Sequence, residues 1–183
     1  MVYLTDNPKV KFKKVIKTTF IDEPDFYEAH FSFLYNDVDE LVYAIFTNNN
    51  GRLYLSNIER THAHRKLFAE EHLGTELFIA ALLEMTTTWK MNLKRIDGRL
   101  SSADAQSRAW DTSIPFYYNL PTYIQEHTGI SYSFHIYYDK QHTQELQWPI
   151  WGDDYKSAAK AIRQKFEKTN ADLYFSFLAS ESN

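Results

Sequence analysis

Residues 70–100, EEHLGTELFIAALLEMTTTWKMNLKRIDGRL, decide the fold of this chain. Apolar residues recur at helical spacing from Leu73 to Met85, and two glutamates precede them, where the positive end of a helix dipole favours negative charge. The pattern predicts one long helix over residues 70–91. The stretch LKRIDGRL then predicts a strand over 93–100. A strand that follows a long helix directly points to a crossover connection.

A series of antiparallel strands precedes that helix. Alternation of apolar and polar residues predicts strands over 9–21, 26–35, 41–47 and 52–59, with a hairpin turn at Asn48–Gly51 because Asn and Gly tolerate positive φ. The connection from residue 59 to residue 93 is long enough for a right-handed crossover. We therefore expect strands 52–59 and 93–100 to be parallel neighbours.

The rest of the chain continues the alternation of helices and strands. The pattern predicts a helix from Ser101 to about Ser113 before Pro115, strands near 122–126 and 132–138, a packing plug at Trp148–Trp151, a helix over 153–168 and a strand over 172–178. The predicted fold class is α/β in the α+β sense: a mixed, mostly antiparallel central sheet with one parallel pair. We expect one domain over 1–140, with residues 141–183 as a C-terminal extension packed on it.

Composition excludes several classes of protein. The 183 residues are 44% hydrophobic and 24% charged, which is typical of a globular chain and not of a disordered one. There is no cysteine, so disulfides, thiolate metal sites and cysteine nucleophiles are excluded. A net charge of −4 argues against nucleic acid as the main partner, and no apolar run reaches the roughly 20 residues of a membrane span. We expect a cytoplasmic protein.

Residues 39–138 resemble the GNAT superfamily of N-acetyltransferases, both in the order of helices and strands and in two short motifs. The sequence HLGTEL from His72 to Leu77 resembles the G-x-G-[ST]-x-L motif at the start of the cofactor helix, and FYYNLP from Phe116 to Pro121 resembles the segment F-Y-x-x-L-G. His72 replaces the first glycine. Glu70 and Glu71 bring negative charge into the loop, and only a short break separates the first two strands, where the family has one or two helices.

The resemblance implies an acetyl-CoA-dependent N-acetyltransferase acting on an amine of a small molecule or protein. By this resemblance the amides around His72, Leu73, Gly74 and Thr75 hold the pyrophosphate of acetyl-CoA, since the start of a helix leaves N–H groups unpaired. The acyl group and the pantetheine arm pair with the backbone of a strand that here contains Asn57, Ile58 and Arg60. A splay between the parallel strands beside the cofactor helix would open the groove for that arm.

Two residues are candidates for proton transfer in that reaction. Tyr117 is placed by the resemblance to protonate the leaving thiolate, with Tyr118 as its neighbour. A base is also expected, and Glu59, at the end of the strand beside the cofactor helix, is the best-placed carboxylate to take the proton of the ammonium substrate. A purely structural role remains open for each: the rings could fill space between helix and sheet, and Glu59 could be a solvated strand end.

Other interpretations remain open. The chain could be a GNAT-like binding or interaction module that has lost turnover, or an unrelated aromatic-rich α+β ligand-binding domain. His62 and His64 could be imagined as metal ligands with His72, but nothing in the sequence fixes such a geometry, and no metal is expected. We expect no membrane partner, and a homodimer is an open alternative to a monomer.

Overall fold

The computed structural model of the chain divides into two units, Met1–Leu93 and Lys94–Asn183. It describes residues 7–18, 26–49, 52–61, 72–88, 90–91, 93–147 and 154–180. Each unit has its own paired strands and its own buried side chains.

The first unit is an antiparallel meander with a helix on one face. Its strands are β1 (Val10–Thr18), β2 (Phe26–Tyr35), β3 (Asp39–Asn49) and β4 (Arg52–Arg60), each paired with the next. Alternation places rings such as Phe31 and Phe46 on a single buried face. Helix α1 (Leu73–Leu83) packs there, with the ring of Phe78 centred 5.6 Å from that of Phe46. The four predicted strands are confirmed.

The long helix ends differently from the prediction. The α-helix stops at Leu83, and Glu84–Thr88 continues as a π-helical turn, so a single α-helix over 70–91 is wrong. The reason lies in the threonines. The hydroxyl of Thr86 donates to the carbonyl of Leu82 at 2.8 Å, and that of Thr87 donates to Leu83 at 2.5 Å. These side chains use carbonyls that a regular helix needs for its own backbone.

Among its described residues, the second unit has three antiparallel strands and three helices. Strand β7 (Leu173–Ala179) lies between β5 (Arg95–Leu100) and β6 (Tyr132–Tyr137). The helices are α2 (Ser102–Gln106), α3 (Trp110–Thr128) and α4 (Tyr155–Phe166). Strands near 93–100, 132–138 and 172–178 and the helix near 153–168 are confirmed, whereas the plug Trp148–Trp151 lies outside the described residues.

Helix α3 corrects two predictions. The helix predicted to run from Ser101 to Ser113 is instead the short α2, and α3 then runs through Pro115 and Pro121. The strand predicted near 122–126 is part of the same helix. A proline inside a helix costs about 3 kcal/mol, but burying a large apolar side chain gains about 1.5–3 kcal/mol. Five side chains of α3 at helical spacing are buried: Trp110, Ile114, Tyr117, Leu120 and Ile124.

The predicted fold class is confirmed as mixed α/β with mostly antiparallel strands, since every strand pair within either unit is antiparallel. The predicted parallel pair would join β4 of the first unit to β5 of the second, and it stays a prediction. The proposed division into residues 1–140 and an extension over 141–183 also stays a prediction.

Candidate functional site

Strand β4 contains a β-bulge at Ser56. Ile45 of β3 pairs with Asn57 and Phe46 pairs with Leu55, which leaves Ser56 without an opposite residue. Before the bulge, Leu55 points to the buried face of the sheet together with Phe46. Alternation from Leu55 would also point residues 57 and 59 to that face. The extra residue reverses this, and Asn57 and Glu59 are exposed.

The bulge brings Glu59 into a hydrogen-bonded group with two neighbours. Tyr43 of β3 lies directly opposite Glu59 and donates its hydroxyl to Oε2 at 2.7 Å. Asn57 in turn donates Nδ2 to the Tyr43 hydroxyl oxygen at 3.2 Å. The pKa of Tyr43 is raised, first by the hydrogen bond to the Glu59 carboxylate, then by partial burial and by the charges of Glu59 and Glu40.

The other candidates on β4 lie beside this group. Ile58 is half-buried and pairs with Ala44, so its side chain points toward the helix-covered face, while Arg60 is exposed at the end of the strand. The sequence prediction named Asn57, Glu59 and Arg60 but missed Tyr43. Tyr43 lies opposite Glu59 because of the bulge. If the pairing continued from Asn49–Arg52 with no bulge, residue 42 would lie opposite Glu59.

Helix α1 begins at the predicted motif. His72 precedes its first residue in a left-handed conformation, with φ 50° and ψ 35°. This is the conformation that glycine adopts at no steric cost, which gives a physical reason for a glycine at this place in the motif. The His72 side chain is exposed and does not cap the helix.

The first amides of α1 differ in whether they are already used. The Thr75 amide donates to the His72 carbonyl at 2.9 Å and the Glu76 amide to the same oxygen at 3.2 Å. Within the described residues, the amides of Leu73 and Gly74 donate to no backbone or side-chain acceptor. These two are the groups that could bind an anion. The Glu76 carboxylate in the first turn opposes such binding, and Glu70 and Glu71 lie outside the described residues.

Tyr117 belongs to the second unit, where its ring is packed among phenylalanines. It stacks on Phe175 with ring centres 4.6 Å apart and is also near Phe134 at 6.3 Å. The residue is 8% exposed, and no hydrogen bond joins its hydroxyl to another residue that the structure describes. Burial and then the Asp104 carboxylate raise the pKa of Tyr117 well above its ordinary value. Tyr117 therefore stays protonated.

Tyr118, the neighbour of Tyr117, has different surroundings. It is half-buried, and its ring is centred 4.1 Å from that of Tyr155 in α4. Both rings lie near Phe134, but Tyr117 stacks on Phe175 of the sheet whereas Tyr118 packs on Tyr155 of a helix. Tyr118 is a suitable control for substitutions at Tyr117.

A second polar group is buried on the sheet of the second unit. Asp97 is fully buried and accepts from the Ser176 hydroxyl at 2.5 Å and from Arg95 Nε at 2.7 Å, with His142 Nε2 3.7 Å away. A nucleophilic serine needs a base that takes its proton, usually a histidine. Here the serine bonds to the carboxylate instead, so the arrangement is a buried hydrogen-bond network and not a catalytic triad.

The described residues contain neither a metal-binding group nor a membrane-spanning helix. No group of three or more His, Asp or Glu side chains in the described ranges has the arrangement of a metal site; His62 and His64 lie outside those ranges. None of the helices in the described part of the chain combines the length and apolar character needed to cross a membrane.

Comparisons with known proteins give likenesses of structure. No protein-family model matches the chain, and no curated protein matches it. The structure is similar to nourseothricin acetyltransferase, with a TM-score of 0.43 and 13% sequence identity, over 88% of this chain and 69% of that chain. It is also similar to a mutant of the spermidine N-acetyltransferase SpeG from Vibrio cholerae, with a TM-score of 0.39 and 12% identity, over 87% of this chain and 67% of that chain.

Proposed function

We propose that the chain is an acetyl-CoA-dependent N-acetyltransferase that acts on an amine of a small molecule or protein. The observation that carries the proposal is the bulge at Ser56. It turns Asn57 and Glu59 to the face of the sheet that α1 does not cover, within the strand that the resemblance assigns to the acyl group. Bulges are frequent beside active sites because they redirect side chains and interrupt strand pairing.

The resemblance gives each candidate residue a role in the reaction. Acetyl-CoA supplies the acetyl group as a thioester, whose C–S bond breaks as a C–N bond forms with the amine. Glu59, exposed and oriented by Tyr43, would accept the proton that the amine loses. By the resemblance, Tyr117 would donate a proton to the leaving thiolate, and its raised pKa opposes that transfer because it makes the phenol a weaker acid. Glu40 and Glu59 both lie near the Tyr43 hydroxyl, and their charges favour a cationic amine.

The start of α1 supports cosubstrate binding in part. The amides of Leu73 and Gly74 would hold the pyrophosphate, as Gly74 lets the backbone come close. The Thr75 amide is already bonded, and Glu76 repels an anion, which favours a second candidate function: a GNAT-like module that keeps the fold without turnover.

Thermal unfolding with acetyl-CoA tests binding, and release of CoA then separates the two functions. A ligand at 100 times its dissociation constant stabilises a protein by about 2.7 kcal/mol. Release of CoA from acetyl-CoA can then be followed with a thiol reagent in the presence of primary amines. The protein adds no background to this assay because it has no cysteine.

The combined outcomes are distinct. Stabilisation together with amine-dependent release supports the enzyme, and stabilisation without release supports the non-catalytic module. Neither stabilisation nor release would overturn both. Desulfo-CoA is a useful control because it keeps the pyrophosphate and lacks the acetyl thioester, so it should stabilise the protein without releasing a thiol.

A further inference from the structure

We propose that Tyr43 is a positioning residue that holds the Glu59 carboxylate for proton transfer. This inference rests on the proposed function, since it assigns a part in that reaction to a residue outside the motifs. Three features of the first unit carry it: the pairing of the two residues, the constraints on the tyrosine ring, and the oxygen atom that the contact leaves available.

The two residues are fixed relative to each other by the sheet. Tyr43 and Glu59 are directly opposite across β3 and β4, and the hydroxyl donates to Oε2 at 2.7 Å. Directly opposite side chains are the closest neighbours that an antiparallel pair offers. The bulge at Ser56 creates this pairing, so the feature that exposes Glu59 also supplies its hydrogen-bond donor.

The tyrosine is itself held in place on two sides. Its ring is centred 5.3 Å from the ring of His30 on β2, and His30 Nε2 lies 3.3 Å from Glu40. Asn57 donates to the Tyr43 hydroxyl at 3.2 Å, which orients the O–H toward Glu59. A glutamate side chain has more rotamers to lose than a tyrosine ring that is already packed. Tyr43, which is held in place, therefore orders the side chain of Glu59.

The contact leaves one carboxylate oxygen for chemistry. Tyr43 occupies Oε2, and Glu59 makes no other hydrogen bond or ion pair with the residues that the structure describes. Oε1 can therefore accept a proton from an amine on the exposed face. Misplacing a reacting group by about 1 Å can cost 10²-fold in rate, so an oriented carboxylate matters for a base that lies on an exposed strand end.

A double-mutant cycle tests whether Tyr43 acts through Glu59. Tyr43→Phe keeps the ring and removes only the donor, and we expect kcat for amine acetylation to fall roughly 10- to 100-fold with KM for acetyl-CoA unchanged. In the Glu59→Gln background the same substitution should cause no further loss, because the group that it orients is no longer a base. Tyr54→Phe, on β4 with its ring against Arg52, is the matched control and should leave kcat unchanged.

A titration tests the contact without any turnover. The raised pKa of Tyr43 should move back toward its ordinary value in Glu59→Gln, because the substitution removes the charge that holds the tyrosine proton. The ring carbon bearing the hydroxyl reports this in NMR, with the Tyr43→Phe spectrum assigning the signal. An unchanged Tyr43 titration would show that the two groups do not interact and would overturn the inference.

The outcomes separate this inference from the proposed function. If the wild type turns over and the two substitutions lower kcat independently, Tyr43 has no role through Glu59 and only this inference fails. If the titration responds but no primary amine supports CoA release by the wild type, the proposed function fails and the catalytic meaning of the contact fails with it.

Discussion

Replacing Gly98 with alanine should displace the ring of Phe175. Gly98 lies on β5 opposite Phe175 of β7, and a Cβ added to it would lie 2.1, 2.6 and 2.7 Å from three atoms of that ring. An ordinary contact begins near 3.4 Å, so the ring would have to retreat by about 1.3 Å. It has little space to do so, because the ring of Tyr117 stacks on it at 4.6 Å.

The cost follows from these distances. Overpacking a core costs about 1–3 kcal/mol, and three close contacts with a buried ring place Gly98→Ala near the upper end. Alanine also lowers the conformational entropy of the unfolded chain, which stabilises the protein by about 0.4–1 kcal/mol. We therefore expect the free energy of unfolding to fall by about 1.5–2.5 kcal/mol. The stacked Tyr117 should shift together with Phe175.

Urea denaturation measures this loss of stability, and two further variants test whether the overlap with Phe175 causes it. Gly129→Ala is the matched control: Gly129 has φ +74° with nothing within 4 Å of its added Cβ, so only backbone strain of about 1 kcal/mol applies. In Gly98→Ala, Phe175→Leu should destabilise less than it does in the wild type, since the smaller side chain relieves the overlap. An unfolding free energy equal to the wild type, or additive effects of the two changes, would refute this reasoning.

Burial raises the pKa of Tyr132 to about 12, whereas the unfolded chain loses this proton near 10. Stability should therefore fall as pH rises from 10 to 12, and Tyr132→Phe should reduce that fall in urea titrations across this range. His72→Gly should relieve about 1 kcal/mol of left-handed strain, partly offset by a freer unfolded chain; a lower melting temperature would contradict this. Tyr117→Phe should lower kcat by about 10²–10⁴-fold with acetyl-CoA affinity unchanged, and Tyr118→Phe much less; equal effects would make both rings structural.

The sequence predicted most elements because their patterns were local. The strands of the meander alternate along the chain. Asn50 and Gly51 of the predicted hairpin turn lie outside the described residues. Helix α3 was mispredicted because Pro115 is a strong local signal, while the burial that outweighs it depends on tertiary contacts. The π-helical turn was not predicted. The hydroxyls of Thr86 and Thr87 compete for backbone carbonyls of the helix, and the sequence does not show whether a threonine hydroxyl makes such a bond.

The candidate site was predictable only as far as the motifs reached. His72, Gly74 and Tyr117 follow from the resemblance, but the direction of each side chain does not. A bulge shifts the pairing register of every later residue of its strand, and the sequence around Ser56 does not indicate a bulge. The hydrogen bond between Glu59 and Tyr43 therefore could not be predicted before the register of the two strands was known.

The position of β7 between β5 and β6 has a consequence for the order in which the second unit can fold. Within that sheet β5 and β6 each pair with β7. Ser176 reaches Asp97 across 79 residues of chain. A growing chain therefore cannot close this sheet until Leu173–Ala179 has left the ribosome, and long-range pairing of this kind folds slowly. Until then one edge of β5 and one edge of β6 lack the strand that pairs with them, and unpaired strand edges are prone to pair with other chains.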